Sequence, residues 1–486
     1  MTTNKTSALS GDDFSAGDLA ALSFDFASVR AAYRQGVRVA ALVREVHARL
    51  MRDDNEHVWT HVIALDALLE RAQELERLRQ DGVALPLFGI PYGVKGNIDG
   101  AGLPTTAGCA GFGYVAERTA AVVERLHRAG AILIGKQNMD QFATGLVGIR
   151  SPHGYCRNSF DRRYIPGGSS SGSAVAVSSG HVGFSIGSDT GGSGRVPAAL
   201  NNIVGPKPTP GRVSTYGFLY CNRSFDVAPV FALTTDDAYD VLDVIEGQDA
   251  RDPYSHAVPA ESAATQVAPG FRFAIPDARH LEFFGDEQAR RQFAAAVGRL
   301  VERGGTAVEV DFAPFLEAGR MVFNSPLIAE RWLTYGAFCA QGSDDLDPNV
   351  RQAILAAQQY SAADAHAQQY RLQELQRQVH AGLADLAFLL VPTCGTIYRC
   401  DEVEADPVRL NTNLGYYTYF ANPLRLCAIS VPAGLRGDGL PFGACLLAPA
   451  DADRRLQSYA NALHAAFGGN LGATRHAFAR PVAAAA

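Results

Sequence analysis

Two hydrophobic rhythms alternate along the chain. Across residues 26–80 apolar positions recur at three- and four-residue steps, in FASVRAAYRQGVRVAALVREVHARL and again in VIALDALLERAQELERL. That spacing predicts two helices joined near residues 53–56. From residue 85 to about 240 short apolar runs alternate with helical pieces. PLFGIPYGVKGNID predicts a buried strand entering a loop. AAVVERLHRAG and then AILIGKQN predict a helix, a glycine stop and a strand, and SAVAVSSG with VGFSIGSD repeats that order. Residues 241–345 predict a further alternation: RFAIPD as strand, QARRQFAAAVGRLVERG as helix, AVEVDF as strand. Residues 348–385 read as helical, opening at Asp347-Pro348, with a capping-box pair at Ser361 and Asp364. Residues 386–391 predict a buried strand. AISVPAGL and PFGACLLAP, followed by RRLQSYANALHAAF, predict a sheet edge under a covering helix. Helix alternating with strand predicts an α/β layered fold. Residues 1–17 are expected to be disordered and residues 473–486 to form a flexible tail. No repeat or linker divides the rest, so a single domain is expected over 18–472, with N-terminal helices 26–80 and a glycine-rich core 85–240.

Composition removes several classes of function. The 486 residues are 47% hydrophobic and 19% charged, with a formal net charge of −7. A mildly acidic chain without a basic stripe is not expected to bind nucleic acid. No apolar run approaches the roughly 20 residues that span a bilayer, and MTTNKTSALSGDD has no apolar signal core. No membrane partner is therefore expected. Eight cysteines, none in a CxxC pair, predict reduced, buried thiols in a cytoplasmic protein and no metal site.

The basic residues are uneven: 39 arginines stand against four lysines, Lys5, Lys95, Lys136 and Lys207. Lys95 follows the strand-like Gly89-Ile90-Pro91-Tyr92-Gly93-Val94. Lysine there is either a snorkelling side chain or a desolvated amine of lowered pKa. To be half neutral near pH 7 it must fall about three units, which burial can provide.

Two clusters rich in glycine and serine carry the other candidate chemistry: Gly167-Gly168-Ser169-Ser170-Ser171-Gly172-Ser173 and Ser188-Asp189-Thr190-Gly191-Gly192-Ser193-Gly194-Arg195. Such clusters are often linkers. Here apolar, element-forming sequence follows each directly. Glycines flanking a serine let the backbone approach a substrate closely, and successive N–H groups in such a turn converge on an anion, as an oxyanion hole requires. The first cluster also matches GxSxG, the nucleophile elbow of α/β-hydrolases. The preceding Asp161-Arg162-Arg163-Tyr164-Ile165-Pro166 is a poor strand, however, and no histidine stands in a triad context. Lysine remains as the base.

Taken together, GIPYGVKGNID, GGSSSGSA and GSDTGGSGRVPAALNNIVGPKPTPGRVS resemble the amidase signature family, and the likeness runs from about residue 30 to 470. The resemblance implies an α/β amidase-signature fold, a mixed β-sheet sandwiched between α-helices (α/β/α). It implies an amidohydrolase without cofactor or metal, working by a Ser–cis-Ser–Lys triad. Ser193 matches the nucleophile, Ser169 the bridging serine after a cis peptide, and Lys95 the base. Backbone N–H groups of Thr190, Gly191, Gly192 and Ser193 match the oxyanion hole. Asp189 and Arg195 match residues that brace the nucleophile loop, and Gly168 accommodates the cis peptide.

Within the family the likeness runs to the allophanate hydrolases, through KQNMDQFATGLVGIRSPHGYCRN, RVPAALNNIVG, FALTTDDA and RLNTNLGYYTYFAN with VPAGLRGDGLPFG. The substrate implied is a small urea derivative: allophanate, biuret or guanylurea. Arg331, in Ala329-Glu330-Arg331, matches the arginine that meets a carboxylate, and Phe323 stands where a tyrosine is usual. Other departures fall at Tyr216, His153, Tyr155 and Arg425 and around Cys109; Tyr216, His153 and Tyr155 are expected to shape the substrate pocket. The resemblance also implies a homodimer through the N-terminal helices, and no C-terminal extension is expected. A catalytic component of a multi-subunit amidotransferase, a general small-amide amidase and a silent scaffold are the alternatives.

Overall fold

The computed structural model describes residues 16–259, 267 and 270–478. Nearly all of the expected N-terminal disorder therefore lies outside the described residues. Asp25 caps the helix Phe26–Arg34, accepting the Ser28 N–H at 3.0 Å. Phe26, Val29, Ala32 and Tyr33 make its buried face. The helices Val39–Arg52 and Leu65–Gln80 follow. The expected pair of helices is thus three, with a strand, Trp59–Val62, between the last two. Its aromatic and β-branched residues suit a strand, and it pairs antiparallel with Ile132–Gln137. Helical periodicity on both sides hid so short an insertion.

Two sheets form the centre. The first has five strands in the order Trp59–Val62, Ile132–Gln137, Pro91–Lys95, Phe184–Ile186, Val230–Ala232. The second has six: Thr306–Val310, Arg272–Pro276, Leu389–Pro392, Pro441–Ala448, Cys427–Leu435, Gly205–Lys207. An antiparallel bridge between Val204 and Ala232, with bonds of 2.9 and 3.1 Å, links one sheet to the other. Both parallel and antiparallel pairs occur in each. The hairpin Cys427–Leu435 and Pro441–Ala448 lies inside the second sheet, not at its edge as expected. The edge is the short Gly205–Lys207, where Pro206 has no N–H to offer a further strand. Helix Asp453–Phe467 covers this region through Leu456, Tyr459, Ala460 and Leu463.

Residues 473–478, expected to open a flexible tail, are instead tied to the fold. Ala473 N–H donates to the Ser178 carbonyl at 2.9 Å, Phe478 N–H donates to the Gly469 carbonyl at 2.8 Å, and the Phe478 ring lies 4.3 Å from that of His464. Residues 479–486 lie outside the described part. No described helix is long and apolar enough to cross a membrane.

In the first sheet, Pro91–Lys95 runs parallel to both neighbours, Ile132–Gln137 and Phe184–Ile186. Ligand sites of such sheets form beyond the carboxyl ends of parallel strands. Lys95 ends the middle strand, with Asn138 and Asp140 following one neighbour and Ser188 and Asp189 the other. Close backbone packing holds this edge. A Cβ on Gly135 would lie 2.1 Å from the His61 carbonyl oxygen. Gly135→Ala is expected to cost about 1–3 kcal/mol by overpacking, read as a lower denaturation temperature. An unchanged value would mean that the Trp59–Val62 strand yields freely.

Candidate active site

Lys95, Ser169 and Ser193 meet although 98 residues separate the first from the last. Lys95 Nζ lies 2.7 Å from Ser169 Oγ, which lies 2.8 Å from Ser193 Oγ. All three are buried. Nζ also lies 2.9 Å from Ser188 Oγ and 3.3 Å from the Ser188 carbonyl oxygen. Nζ thus donates to three oxygens, Ser169 Oγ and the hydroxyl and carbonyl oxygens of Ser188. No carboxylate lies within ion-pair distance of Nζ among the described residues. Burial pushes the Lys95 pKa down to about 8, while the charges of Asp140, Cys221, Asp189 and Asp226 pull it upward.

The local backbone explains the approach of the serines. Gly168-Ser169 is a cis peptide. A Cβ on Gly168 would stand 2.0 Å from Asp140 Oδ2 and 2.6 Å from the Gly148 nitrogen, so only glycine fits. Asp140 accepts the N–H groups of Gly148 and Arg150, each at 2.9 Å, and its own N–H donates to the Ser169 carbonyl at 3.0 Å. Helix Ser171–Ser178, buried throughout, carries the segment into the core.

The Ser193 turn is organised by one carboxylate. Asp189 accepts the Gly192 N–H at 2.7 Å and the Gly194 N–H at 2.9 Å. Arg195 donates to both oxygens of Asp189 at 3.0 Å, to the Thr418 carbonyl and to Asn422 Oδ1. The guanidinium beside it holds the Asp189 carboxyl below the usual range despite full burial. Gly192 was expected among the oxyanion donors, but its N–H is already committed to Asp189. The N–H groups of Thr190, Gly191 and Ser193 have no acceptor among the described residues. Thr190 Oγ1 donates to Asp226 at 2.6 Å, and burial pushes that carboxyl up to about 7.

A cavity of about 550 Å³ lies beyond Tyr419, whose ring packs against Gly191; none of Lys95, Ser169, Ser193 and Arg331 lines it. Phe323 and Tyr419 form part of its wall, with ring centres 4.9 Å apart. Behind them lie the site's inner groups. Gly191 packs against the Tyr419 ring, where an added Cβ would stand 2.9 Å away. The Arg331 guanidinium stacks 4.6 Å from the Phe323 ring centre. Arg331 is fully buried; Nε meets Cys221 Sγ at 2.9 Å and Nη1 donates to the Val322 carbonyl at 3.1 Å. Its Nη2 has no partner, and no carboxylate pairs with it among the described residues. A helix-surface ion pair is therefore ruled out for Arg331.

The remaining expected pocket residues are placed elsewhere. Tyr216 lines a second cavity, under the Arg251 guanidinium at 4.3 Å. Tyr155 lines a third, its hydroxyl donating to Glu404 at 2.9 Å. His153 lies near His57 and Asp345, and its Nε2 is buried without a partner. None of the three bonds to the serine–lysine chain. Departure from a family pattern marks change, not proximity. Sequence reasoning missed Ser188, Asp226 and Asn422, which lie in or beside the quoted motifs but carry no signal of their own.

The chain belongs to the amidase family, matching it over residues 41–456. It is therefore an amidase-family hydrolase of the α/β amidase-signature fold. It is 38% identical over 409 residues to the urea amidolyase of Saccharomyces cerevisiae, covering 84% of this chain and 22% of that protein. The chain thus spans about a fifth of that relative's length. It is 34% identical to a glutamyl-tRNA(Gln) amidotransferase subunit of Exiguobacterium sibiricum, over 89% of this chain and 95% of that one. The allophanate hydrolase of Kluyveromyces lactis superposes with a TM-score of 0.84 at 35% identity, over 93% of this chain and 72% of that structure.

The Asp189–Arg195 pair is fully buried. Removing one partner of such a pair costs about 3–5 kcal/mol, because the other is left as an uncompensated charge. Arg195→Met is expected to lower the denaturation temperature sharply and to disorder the Ser193 turn. A variant as stable as the parent would mean that the two N–H bonds to Asp189 suffice.

Proposed function

We propose that the protein hydrolyses a small urea-derived amide bearing a carboxylate, of the allophanate class, through an acyl-enzyme on Ser193. Neutral Lys95 takes a proton from Ser169 as Ser169 takes one from Ser193. Ser193 Oγ attacks the amide carbon, forming a C–O bond and a tetrahedral oxyanion. The free N–H groups of Thr190, Gly191 and Ser193 face the developing charge; one such donor is typically worth about 3–4 kcal/mol. The proton returns through Ser169 to the amine as the C–N bond breaks, and ammonia leaves. Water then resolves the ester by the same relay. With a pKa of about 8, about one lysine in ten is neutral at pH 7, against fewer than about one in a thousand for an ordinary lysine.

The observation that carries the substrate class is Arg331. Allophanate, biuret and guanylurea are near-isosteres that differ in the charge at one end: negative, neutral and positive. A fully buried guanidinium with an unpartnered Nη2 favours the negative member and repels the positive one. A site built around an unmet hydrogen-bonding group rejects an analogue that leaves it unmet. The likeness to a urea amidolyase and an allophanate hydrolase supports the same class. A second reading, a catalytic component of an amidotransferase, draws on the likeness across 95% of the Exiguobacterium protein; stable co-purification with partner proteins would favour it.

Two predictions test the reading. In the first, Ser193→Ala abolishes ammonia release while the fold persists. Lys95→Arg is as damaging as Lys95→Ala, since arginine cannot deprotonate. In the parent, kcat/KM rises with pH, is half-maximal near 8 and levels off about one pH unit above; a flat profile between about pH 6 and pH 9, or an active Lys95→Arg enzyme, removes the base assignment. The second compares ammonia release from allophanate, biuret, guanylurea, malonamide and simple aliphatic amides. Allophanate is expected to lead, and Arg331→Gln to abolish its advantage over biuret. Equal rates on simple aliphatic amides would refute the urea-derivative reading.

A further inference from the structure

The cavity outside the Phe323–Tyr419 wall is several times the volume of a urea derivative, and its lining is electrically one-sided. Arg150 and Arg320 face it, no aspartate or glutamate does, and its other polar groups include the amides of Asn324, Asn349, Gln352 and Asn411. On a chain of net charge −7, an acid-free chamber with two guanidiniums is a local reversal of sign. The second cavity provides the contrast: its arginines share the wall with Glu117 and Glu124, and Arg251 is paired to Glu124 at 2.8 Å.

Arg150 is built into this wall. It is 8% exposed, Nη1 donates to the Thr144 carbonyl at 3.0 Å, and Nη2 donates to the Pro407 carbonyl at 2.5 Å. Its Nε is buried without a partner. Asp140, the nearest acid to it in sequence, takes the Arg150 backbone N–H instead of the guanidinium. Arg320 stands exposed on the helix Ala313–Met321 with no ion-pair partner among the described residues. Arg331 lies behind the aromatic wall. Three guanidiniums outside any ion pair among the described residues thus run from the surface inward, Arg150 with the buried Asp140 carboxylate as a neighbouring counter-charge.

We propose that this chamber is an anion-docking site, in which Arg320 draws in a small carboxylate and Arg150 holds it before it reaches Arg331 and Ser193. The proposal rests on the carboxylated-substrate reading above and adds two specificity-determining residues to it. A cleft of one charge sign raises the local concentration of an oppositely charged ligand. A charge-assisted hydrogen bond from Arg150 then discriminates against the neutral isostere.

The test uses allophanate and biuret as the charged and neutral substrates, and malonate, which has carboxylates but no scissile amide, as a binding probe. In Arg150→Gln, the ratio of kcat/KM for allophanate to that for biuret is expected to fall about 10- to 100-fold. Malonate binding, followed by calorimetry, should weaken by a similar factor. A merely structural Arg150, holding the Thr144 and Pro407 carbonyls, would instead depress both substrates equally and leave malonate binding intact in the folded fraction; that result overturns the proposal. Arg320→Gln removes no backbone bond. It should raise KM for allophanate about threefold at low salt, a difference that closes at about 1 M salt where the charge is screened. If Arg150→Gln does not fold, Arg150→Lys replaces it: retained malonate binding with a several-fold loss supports docking, while no change there and none in Arg320→Gln overturns it. If allophanate is not turned over but malonate binding still requires Arg150, the docking site stands and the substrate reading falls.

Discussion

The structure depends on burying one amine without a counter-ion. Lys95 ends a strand flanked by parallel neighbours on both sides, and burial strips its water. A carboxylate at hydrogen-bonding distance would restore the charge that burial suppresses. The nearby acids are engaged elsewhere. Asp140 is taken by two backbone N–H groups, Asp189 by Arg195 and the nucleophile turn, and Asp226 by Thr190 and the N–H groups of Cys221 and Asn222. Each acid therefore holds a loop in place while leaving Nζ to the oxygens of Ser169 and Ser188. The architecture of the loops and the poise of the amine are one arrangement.

The same reasoning separates the two kinds of buried cation. Lys136 and Lys207 are also fully buried; desolvation pushes them down to about 7 and about 8. Lys136 meets the Ile98 carbonyl and Thr105 Oγ1, and Lys207 the Pro208 carbonyl. An amine in such a place can shed its proton. Arginine cannot, so Arg195 is matched by Asp189, and Arg331 keeps an unmet demand for an anion. Lysine scarcity in this chain follows a division of labour: three of its four lysines occupy buried positions where neutrality is attainable.

Much of this was legible in the sequence because the motifs are contiguous and sit at strand ends. Glycine-flanked serines and a lysine closing an apolar strand marked the candidate chemistry, and the resemblance to the amidase signature family joined them into one chain of side chains. Helix and strand order was also legible wherever a glycine or proline punctuated the pattern. What failed depended on long-range placement. The four-residue strand Trp59–Val62 has no meaning until Ile132–Gln137 lies beside it, and the hairpin Cys427–Leu435 and Pro441–Ala448 is interior only because Gly205–Lys207 pairs outside it. Tyr216 and Tyr155 differ from a family pattern yet line other cavities. The commitment of the Gly192 N–H to Asp189 is a matter of turn geometry, which residue identities cannot specify.

Charge selection along the proposed path gains from its order. Arg320 is exposed, Arg150 is 8% exposed and Arg331 is fully buried. Water screens the outermost charge most, so there it acts over distance but discriminates little. Each inward step exchanges screening for directed hydrogen bonds in a drier setting, where leaving a guanidinium unmet is costly. A neutral isostere would meet the same wall of amides and aromatic rings but relieve none of that cost, and a cationic one would add to it. Discrimination would then accumulate over successive sites instead of resting on one contact. That is how a pocket can distinguish ligands of nearly the same shape when shape itself offers nothing to read.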